Sequence, residues 1–228
     1  MGVTDAAKKN ISNVLANRYA SAAMTNLWSP EEKIIMERRL WLSVMRAQKE
    51  LGVDIPDEAF GAYESVIDRV DLVSIAQRER VTRHDVKARI EEFNALAGYE
   101  HIHKGMTSRD LTENVEQLQI YRSLQLARDK AVAVLARLGT RAGEYQGMVM
   151  AGRSHNVAAQ ATTLGKRFAS AADELLLGIE RVEGLLGRYP LRGIKGPMGT
   201  SQDMLDLLGG DEDKLAAMEQ GIAEGLGF

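Results

Sequence analysis

The chain has 228 residues, of which 45% are hydrophobic and 27% charged, and its formal net charge at pH 7 is −3. This composition predicts one large or two small globular domains, and it lacks the basic run that marks most nucleic-acid-binding surfaces. There is no cysteine, which excludes disulfides and cysteine-ligated metals. No apolar stretch approaches the length of a membrane span, and the N-terminus lacks the apolar core of a secretion signal. We therefore expect a cytoplasmic protein with no nucleic-acid partner and no membrane association.

Residues 14–110 predict a small N-terminal helical domain, preceded by a flexible tail over residues 1–13. Ser29, Pro30 and Glu32 occur in the order N-cap, N1 and N3 that marks a helix start, and Gly52 provides a stop. Further helices are predicted over 57–67, over 72–80, and from Thr82, where Asp85 completes a second capping box, to Gly98.

Residues 111–228 have the pattern of long helices. Apolar or small residues recur three and four positions apart from Leu124 to Tyr145, and again from Leu164 to Leu186. No strand is predicted between these two helices, and a last helix is predicted to finish at Gly225 or Gly227. The fold class is therefore predicted to be all-α, a small helical domain followed by the first part of a long-helix bundle. A coiled-coil dimer is less favoured because glycines interrupt the pattern often.

Four polar clusters interrupt the helical pattern, and three of them contain a histidine. They are NRYASAAM (17–24), TRHDVKARIEEF (82–93), HKGMTSRDLTENVE (103–116) and GRSHNVAAQATTLGK (152–166). Histidine titrates near neutral pH, so it can donate or accept a proton under working conditions. Thr107 and Ser108 stand just before a long helix, where free N–H groups and the helix dipole favour an anion such as a carboxylate.

Each cluster also has a purely structural interpretation. Thr107 and Ser108 can simply cap the helix that starts at residue 109 or 110. His84 can be a solvated first-turn residue, and His103 a loop histidine bonded to backbone. His101 and His103 can be viewed as a metal-ligand pair, but no third ligand accompanies them, so we expect no metal.

Taken together, in their order and spacing, the four clusters resemble the signature blocks of the fumarase/aspartase superfamily, and within it the adenylosuccinate lyase family. The resemblance extends from Asn13 to the end of the chain and includes LRGIKGPMGT over 191–200. It implies a lyase of purine biosynthesis that uses no cofactor. The reaction is a β-elimination that releases fumarate from adenylosuccinate, giving AMP, and from the matching succinyl-carboxamide ribonucleotide.

The resemblance also implies roles for individual histidines and their neighbours. His155 is the expected general acid that protonates the leaving nitrogen. His84 is expected to orient the substrate or assist the proton transfer, with Arg83 and Asp85 contacting the nucleotide. His103 is expected near the nucleotide phosphate.

The remaining implied site residues bind the charged ends of the substrate. Thr107 and Ser108 would hold a carboxylate of the succinyl part. Arg18 and Tyr19, which otherwise indicate only the edge of a helix, would bind the 5′-phosphate, since the planar guanidinium of arginine pairs two oxygens at once. Ser154 stands where the family more often has threonine, and the change keeps the hydroxyl.

One expected element is not found in the chain. The superfamily's mobile loop carries the serine thought to act as the general base, and GPMGTSQDM resembles it only superficially. We therefore expect an incomplete, N-terminal portion of a homotetrameric enzyme, inactive in isolation. The alternatives are another lyase of the superfamily, such as an argininosuccinate lyase, or a non-catalytic helical assembly fragment. The presence of several polar groups together at the ends of helices favours the enzyme.

Overall fold

A computed structural model describes residues 13–227, and the chain divides into two compact units, Met1–Lys104 and Gly105–Phe228. The predicted flexible tail over residues 1–13 lies, apart from Asn13, outside the described residues, and the domain boundary expected after residue 110 stays a prediction. The predicted fold class is confirmed, because the described chain is mainly helical and contains a single two-stranded sheet. In the described part of the chain, no helix is both long and apolar enough to cross a bilayer.

The first unit is a set of packed helices introduced by one π-helical turn. Its elements are the turn Leu15–Tyr19, α1 (Ala22–Leu27), α2 (Pro30–Glu50), α3 (Asp57–Glu64), α4 (Leu72–Thr82) and α5 (Asp85–Ala97).

The helix α2 forms the centre of the first unit. It starts as predicted, with the Ser29 hydroxyl accepting a hydrogen bond from the Glu32 N–H at 3.2 Å. Most of its apolar side chains are buried, and Trp41, at 1% exposure, stacks on Phe93 of α5 with ring centroids 6.2 Å apart. The stacked rings join α2 and α5 in one hydrophobic core.

A buried ion pair also connects α2 to α5. Arg38 is fully buried and donates to the Glu92 carboxylate at 2.5 Å. Its second terminal nitrogen donates to the carbonyl oxygens of Val66 and Ile67, at 2.9 and 2.8 Å. These bonds give both terminal nitrogens of the guanidinium partners, which a charge removed from water requires.

The start of α5 differs from its prediction. The N-cap is His84, whose Nδ1 accepts a hydrogen bond from the Lys87 N–H at 3.2 Å, and not Thr82, which ends α4. The prediction was wrong because histidine is not among the usual N-cap residues, whereas threonine and the residue Asp85 three positions later match the capping-box pattern. The other end was correct: Gly98 closes α5 in the left-handed conformation, with φ 75°.

The second unit consists of two long helices, a β-hairpin between them and two shorter C-terminal helices. Its elements are α6 (Ser108–Glu144), β1 (Val149–Ser154), β2 (Val157–Thr163), α7 (Leu164–Leu186), α8 (Gln202–Leu207) and α9 (Glu212–Leu226).

The two predicted long helices, α6 and α7, pack against each other in opposite directions. The rings of Tyr145 and Phe168 lie 6.0 Å apart near one end of the pair, and those of Tyr121 and Tyr189 lie 6.0 Å apart near the other. The residues of the predicted apolar patterns are mostly half-buried along this contact. Other apolar side chains of the same helices remain exposed: Val132, Val134, Leu176, Leu177 and Leu185.

The hairpin between α6 and α7 was not predicted, so the expectation of no strand there was wrong. β1 and β2 pair antiparallel, with Ser154 opposite Val157. Both strands are largely exposed, so neither has the alternating apolar pattern by which a half-buried strand is recognised. The turn residues His155 and Asn156 have φ of 50° and 62°, as in a type I′ turn, although the sequence lacks the glycine that usually marks one.

The junction of α6 and α7 depends on a close backbone contact at Gly165. The Gly165 N–H donates to the Tyr145 carbonyl oxygen at 2.9 Å, and an added Cβ would lie 2.5 Å from the Ala142 carbonyl oxygen. We expect Gly165→Ala to lower the free energy of unfolding by about 1–3 kcal/mol, because the backbone must shift to admit the methyl group.

The matched control for this substitution is Gly178→Ala in the same helix. An added Cβ at Gly178 meets no atom within 4 Å. This variant is expected to be more stable than wild type by up to about 1 kcal/mol, through the higher helix propensity of alanine. Urea denaturation of both variants provides the measurement, and equal midpoints would contradict the predicted contact.

Candidate active site

Three of the candidate site residues are consecutive at the junction of α4 and α5. Arg83 is the C-cap that follows α4, in the left-handed conformation with φ 55°, His84 is the N-cap of α5, and Asp85 is the first residue of α5. All three side chains are exposed. The reversal of the chain at Arg83 therefore places three polar side chains next to each other at a helix N-terminus, which favours an anionic ligand.

Asp85 belongs to a chain of charges that continues into the core. Its carboxylate accepts a hydrogen bond from Arg89, and Arg89 also donates to the fully buried Glu37 at 2.9 Å. The His84 Nδ1 lies 3.6 Å from the Asp85 carboxylate. Because Arg89 already pairs with Asp85, a nucleotide would have to share this carboxylate with the guanidinium.

His103 is held by the core of the first unit. Its Nδ1 accepts a hydrogen bond from the indole N–H of Trp41 at 3.0 Å, and the two rings meet edge to face at 86°. Its backbone is left-handed, with φ 66°. In the structural interpretation, the His103 ring would be bonded to backbone. It is bonded instead to the buried side chain of Trp41, and this bond orients the ring.

His101, the other half of the histidine pair, interacts with a cation. Its Nδ1 lies 3.0 Å from the Lys104 ammonium, and burial, followed by the Lys104 charge, lowers the pKa of the imidazole. A positive group at this nitrogen opposes the binding of a metal ion. Within residues 13–227, no three His, Asp or Glu side chains are grouped as metal ligands.

Arg18 and Tyr19 are the last two residues of the π-helical turn Leu15–Tyr19. Both are exposed, and the Tyr19 side chain is 75% exposed. Side chains with this exposure are accessible to an anionic ligand.

In the second unit, Thr107 and Ser108 stand at the start of α6. Thr107 is the N-cap, and its N–H donates to the Asp110 carboxylate at 2.8 Å. Ser108 is the first helical residue. The predicted cap is therefore present, displaced by one residue, and it leaves the Ser108 side chain at a helix N-terminus, where anions are favoured.

Asp110 is the residue that organises this helix start, and the sequence analysis gave it no role. It is fully buried, and it accepts hydrogen bonds from the N–H groups of Lys195 and Gly196 at 2.9 and 3.0 Å. The Arg192 guanidinium donates to the same carboxylate. Asp110 thus joins the Thr107 turn to the loop over residues 191–200.

Asn114 and Gln117 extend this attachment along α6. The Asn114 amide donates to the Gly193 carbonyl oxygen at 2.9 Å and accepts from the Gly193 N–H at 3.0 Å. Gln117 accepts from the Arg192 N–H at 2.5 Å. The sequence contained a signal for this attachment, because Asp110 and Asn114 lie one helical turn apart in the polar cluster over residues 103–116. It did not show that the loop over residues 191–200 is their partner.

Ser154 and His155 lie at the tip of the β-hairpin. Ser154 ends β1, and His155 occupies the first central position of the turn, with both side chains exposed. A positive φ in a residue other than glycine is uncommon and often occurs at a functional site. The exposed imidazole is accessible to a ligand.

The length of α6 separates the two groups of candidate residues within the second unit. The helix has 37 residues between Ser108 and Glu144, which corresponds to about 55 Å. The hairpin follows its far end, and a strand of 6 residues spans only about 20 Å. The 11 residues from Glu144 to His155 reach at most about 38 Å, so Ser108 and His155 of one chain are at least about 15 Å apart even if the hairpin lay straight back along α6.

Comparison with known proteins places this arrangement in a family. The sequence model of a family described as Lyase matches residues 15–202. Adenylosuccinate lyases of Schistosoma mansoni and Saccharomyces cerevisiae are each 34% identical to the chain, over 95% and 96% of its length and 46% of theirs. The crystal structure of a fumarate lyase from Mesorhizobium sp. BNC1 has a TM-score of 0.76 and 23% identity, and the match covers 91% of this chain and 48% of that one.

These matches bear out the resemblance found in the sequence motifs. The chain spans about half the length of the curated relatives it matches, and the matched part is their N-terminal portion. Since the family model covers well over half of the chain, the chain belongs to this lyase family.

Proposed function

We propose that the complete protein containing this chain is an adenylosuccinate lyase. It releases fumarate from adenylosuccinate, giving AMP, and from the succinyl-carboxamide ribonucleotide of purine biosynthesis. The observation that supports this substrate is the 34% identity to curated adenylosuccinate lyases over almost the whole chain. The positions of candidate residues at helix N-termini, which favour anions, and at an exposed turn also support the proposal. Metal ions and cofactors are not part of the proposal.

In this proposal, His155 is the general acid that protonates the leaving nitrogen, and His84 orients the substrate or assists proton transfer. Ser108 and Thr107 hold a carboxylate of the succinyl part at the N-terminus of α6, where fixed donors stabilise the charge that develops on it. Ser154 contributes a hydroxyl beside His155.

The nucleotide is bound by residues of the first unit. Arg83 and Asp85 contact it at the junction of α4 and α5, and His103 lies near its phosphate. Arg18 and Tyr19 bind the 5′-phosphate, a role that suits an exposed guanidinium beside an exposed phenol.

A homotetramer is the second part of the proposal. Because about 55 Å of helix lies between Ser108 and the hairpin that carries His155, we propose that a working site takes these two residues from different copies. The exposed apolar side chains of α6 and α7 support such assembly, because extended apolar surfaces seldom stay in contact with water. We also propose a cytoplasmic location.

The test is to follow the cleavage of adenylosuccinate by its absorbance change, with the complete protein and with this chain alone. We expect activity from the complete protein and none from the chain alone, which contains no counterpart of the serine loop. Activity of the chain alone would place the general base within these 228 residues and contradict that part of the proposal.

Two other functions are tested by the same assay. If the complete protein is well assembled and inactive on adenylosuccinate but cleaves argininosuccinate or another succinyl compound, it is a different lyase of the superfamily. If it cleaves none of them, a role in assembly without catalysis is favoured.

A further inference from the structure

Two long-range bonds from α2 hold the segment that contains His103. The Trp41 indole N–H donates to the His103 Nδ1 at 3.0 Å, and the Gln48 amide donates to the Lys104 carbonyl oxygen at 2.8 Å. Both donors are 1% exposed, and they lie seven residues apart, on the same face of the helix. The left-handed backbone of His103 is thus stabilised by the core of the unit, which is how unusual backbone conformations persist.

The bond from Trp41 determines which ring nitrogen of His103 carries the proton. The indole nitrogen of tryptophan is a donor only, so the Nδ1 of His103 must be the acceptor. A neutral imidazole that accepts at Nδ1 has its proton on Nε2. In the alternative tautomer and in the doubly protonated ring, Nδ1 carries a proton. That N–H would then face the indole N–H, and no hydrogen bond could form between them.

Trp41 has little freedom to avoid that conflict. Its ring stacks on Phe93 at an interplanar angle of 22°, with centroids 6.2 Å apart, in a core where Phe93 is fully buried. A conflict between the two N–H groups would leave a buried donor without its acceptor, and the free-energy cost of that loss is well above thermal energy. That penalty is large enough to make one tautomer dominant.

We propose that Trp41 is a positioning residue that holds His103 as the neutral Nε2–H tautomer, so that His103 donates a hydrogen bond to the bound phosphate and does not act as a base. The tautomer itself follows from the contacts of the first unit. The use of the Nε2–H rests on the proposed function. His103 thereby differs from His155, whose proposed role requires it to give up a proton.

Nuclear magnetic resonance on the isolated chain tests the tautomer without any substrate. Long-range proton–nitrogen spectra of the histidine-labelled chain, recorded above the ordinary histidine pKa of about 6.5, distinguish Nδ1–H from Nε2–H rings. We expect His103, identified by the signal that His103→Gln removes, to show a single Nε2–H form. A wild-type spectrum with the proton on Nδ1, or with averaged nitrogen shifts, would overturn the inference even if no variant folds.

Two tryptophan variants separate the bond from general effects. Trp41→Phe keeps an aromatic ring and removes the donor, and it is expected to give the averaged shifts of the two tautomers. The control Trp28→Phe removes the other tryptophan of the chain, which is 49% exposed, and it should leave the His103 shifts unchanged. Unchanged His103 shifts in a folded Trp41→Phe variant would overturn the inference.

The complete protein provides the functional readout. Trp41→Phe is expected to raise the KM for the nucleotide about five- to tenfold, the equivalent of one hydrogen bond, while changing kcat much less. An equal loss in kcat would overturn the assignment of His103 to binding. Failure of the proposed function is distinguishable, because it would abolish turnover in wild type and leave the tautomer spectrum as expected.

Discussion

Mixed assemblies of two inactive variants are expected to recover activity. In the complete protein, His155→Ala removes the proposed general acid and should lower kcat by about 10²–10⁴. Ser108→Ala removes a donor to the developing carboxylate charge and should lower it by about 10²–10³. Each variant alone should therefore be nearly inactive.

When the two variants are coexpressed or dissociated and reassembled together, some sites combine an intact Ser108 with an intact His155. If these residues come from different copies, random mixing restores about a quarter of the sites in a symmetric oligomer. If they came from the same copy, no site would have both residues. The structure favours the first outcome, since about 55 Å of helix lies between Ser108 and the hairpin.

The measurement is the rate of adenylosuccinate cleavage by the mixture, relative to each variant and to wild type. The control is a mixture of two preparations of the same variant, which should remain inactive. Recovery of about a quarter of the wild-type rate supports the shared site. A well-mixed sample with no recovery would contradict the proposed division of the site between copies.

The second large effect is expected at Asp110. Asp110→Ala should lower the free energy of unfolding by about 3–5 kcal/mol, because it leaves a guanidinium and several backbone N–H groups without their acceptor in a buried site. The groups concerned are Arg192 and the N–H groups of Thr107, Lys195 and Gly196. Urea denaturation of the chain measures the change.

Two further variants show whether the buried network causes the loss. Asp110→Asn keeps the size and one acceptor, so an intermediate loss is expected. Asp129→Ala removes the carboxylate of an ion pair with Arg128 in which the Asp129 side chain is 62% exposed, and it should leave the free energy of unfolding close to that of wild type. Equal effects of Asp110→Ala and Asp129→Ala would contradict the role of the network.

Loss of Asp110 should also affect the candidate site. The carboxylate is bonded to the N-cap residue of α6 on one side and to the loop over residues 191–200 on the other. Asp110→Asn in the complete protein is therefore expected to weaken substrate binding as well as to lower stability. Ser108 lies in the chain between Thr107 and Asp110, whose positions depend on these bonds.

Much of the secondary structure could be predicted because helix ends are marked by local interactions. The Ser29 hydroxyl reaches a backbone N–H three residues away, and the glycines at 98 and 227 close their helices in the left-handed conformation. The apolar spacing of α6 and α7 follows from one helix packing against another. The same local rules failed at Thr82 because the cap is provided by His84, a residue type without a strong capping preference.

The family could also be recognised from the sequence, because each of its signature blocks is a short run of consecutive residues. By itself, the sequence determined that the chain is mainly helical, where most of its helices begin and end, and which lyase family it belongs to. Helix ends depend on residues within a few positions of one another, and the family depends on short blocks that occur in a given order along the chain.

The tertiary structure decided the partners of the site residues. Trp41 and His103 are 62 positions apart, and Asp110 and Arg192 are 82 apart, so no short pattern contains both members of either pair. The hairpin that carries His155 depends on pairing between two exposed strands, which leaves no apolar period in the sequence. The apolar spacing in the sequence was followed only from Leu124, and the structure shows that α6 is continuous from Ser108 to Glu144, which separates Ser108 from the hairpin by the full length of the helix.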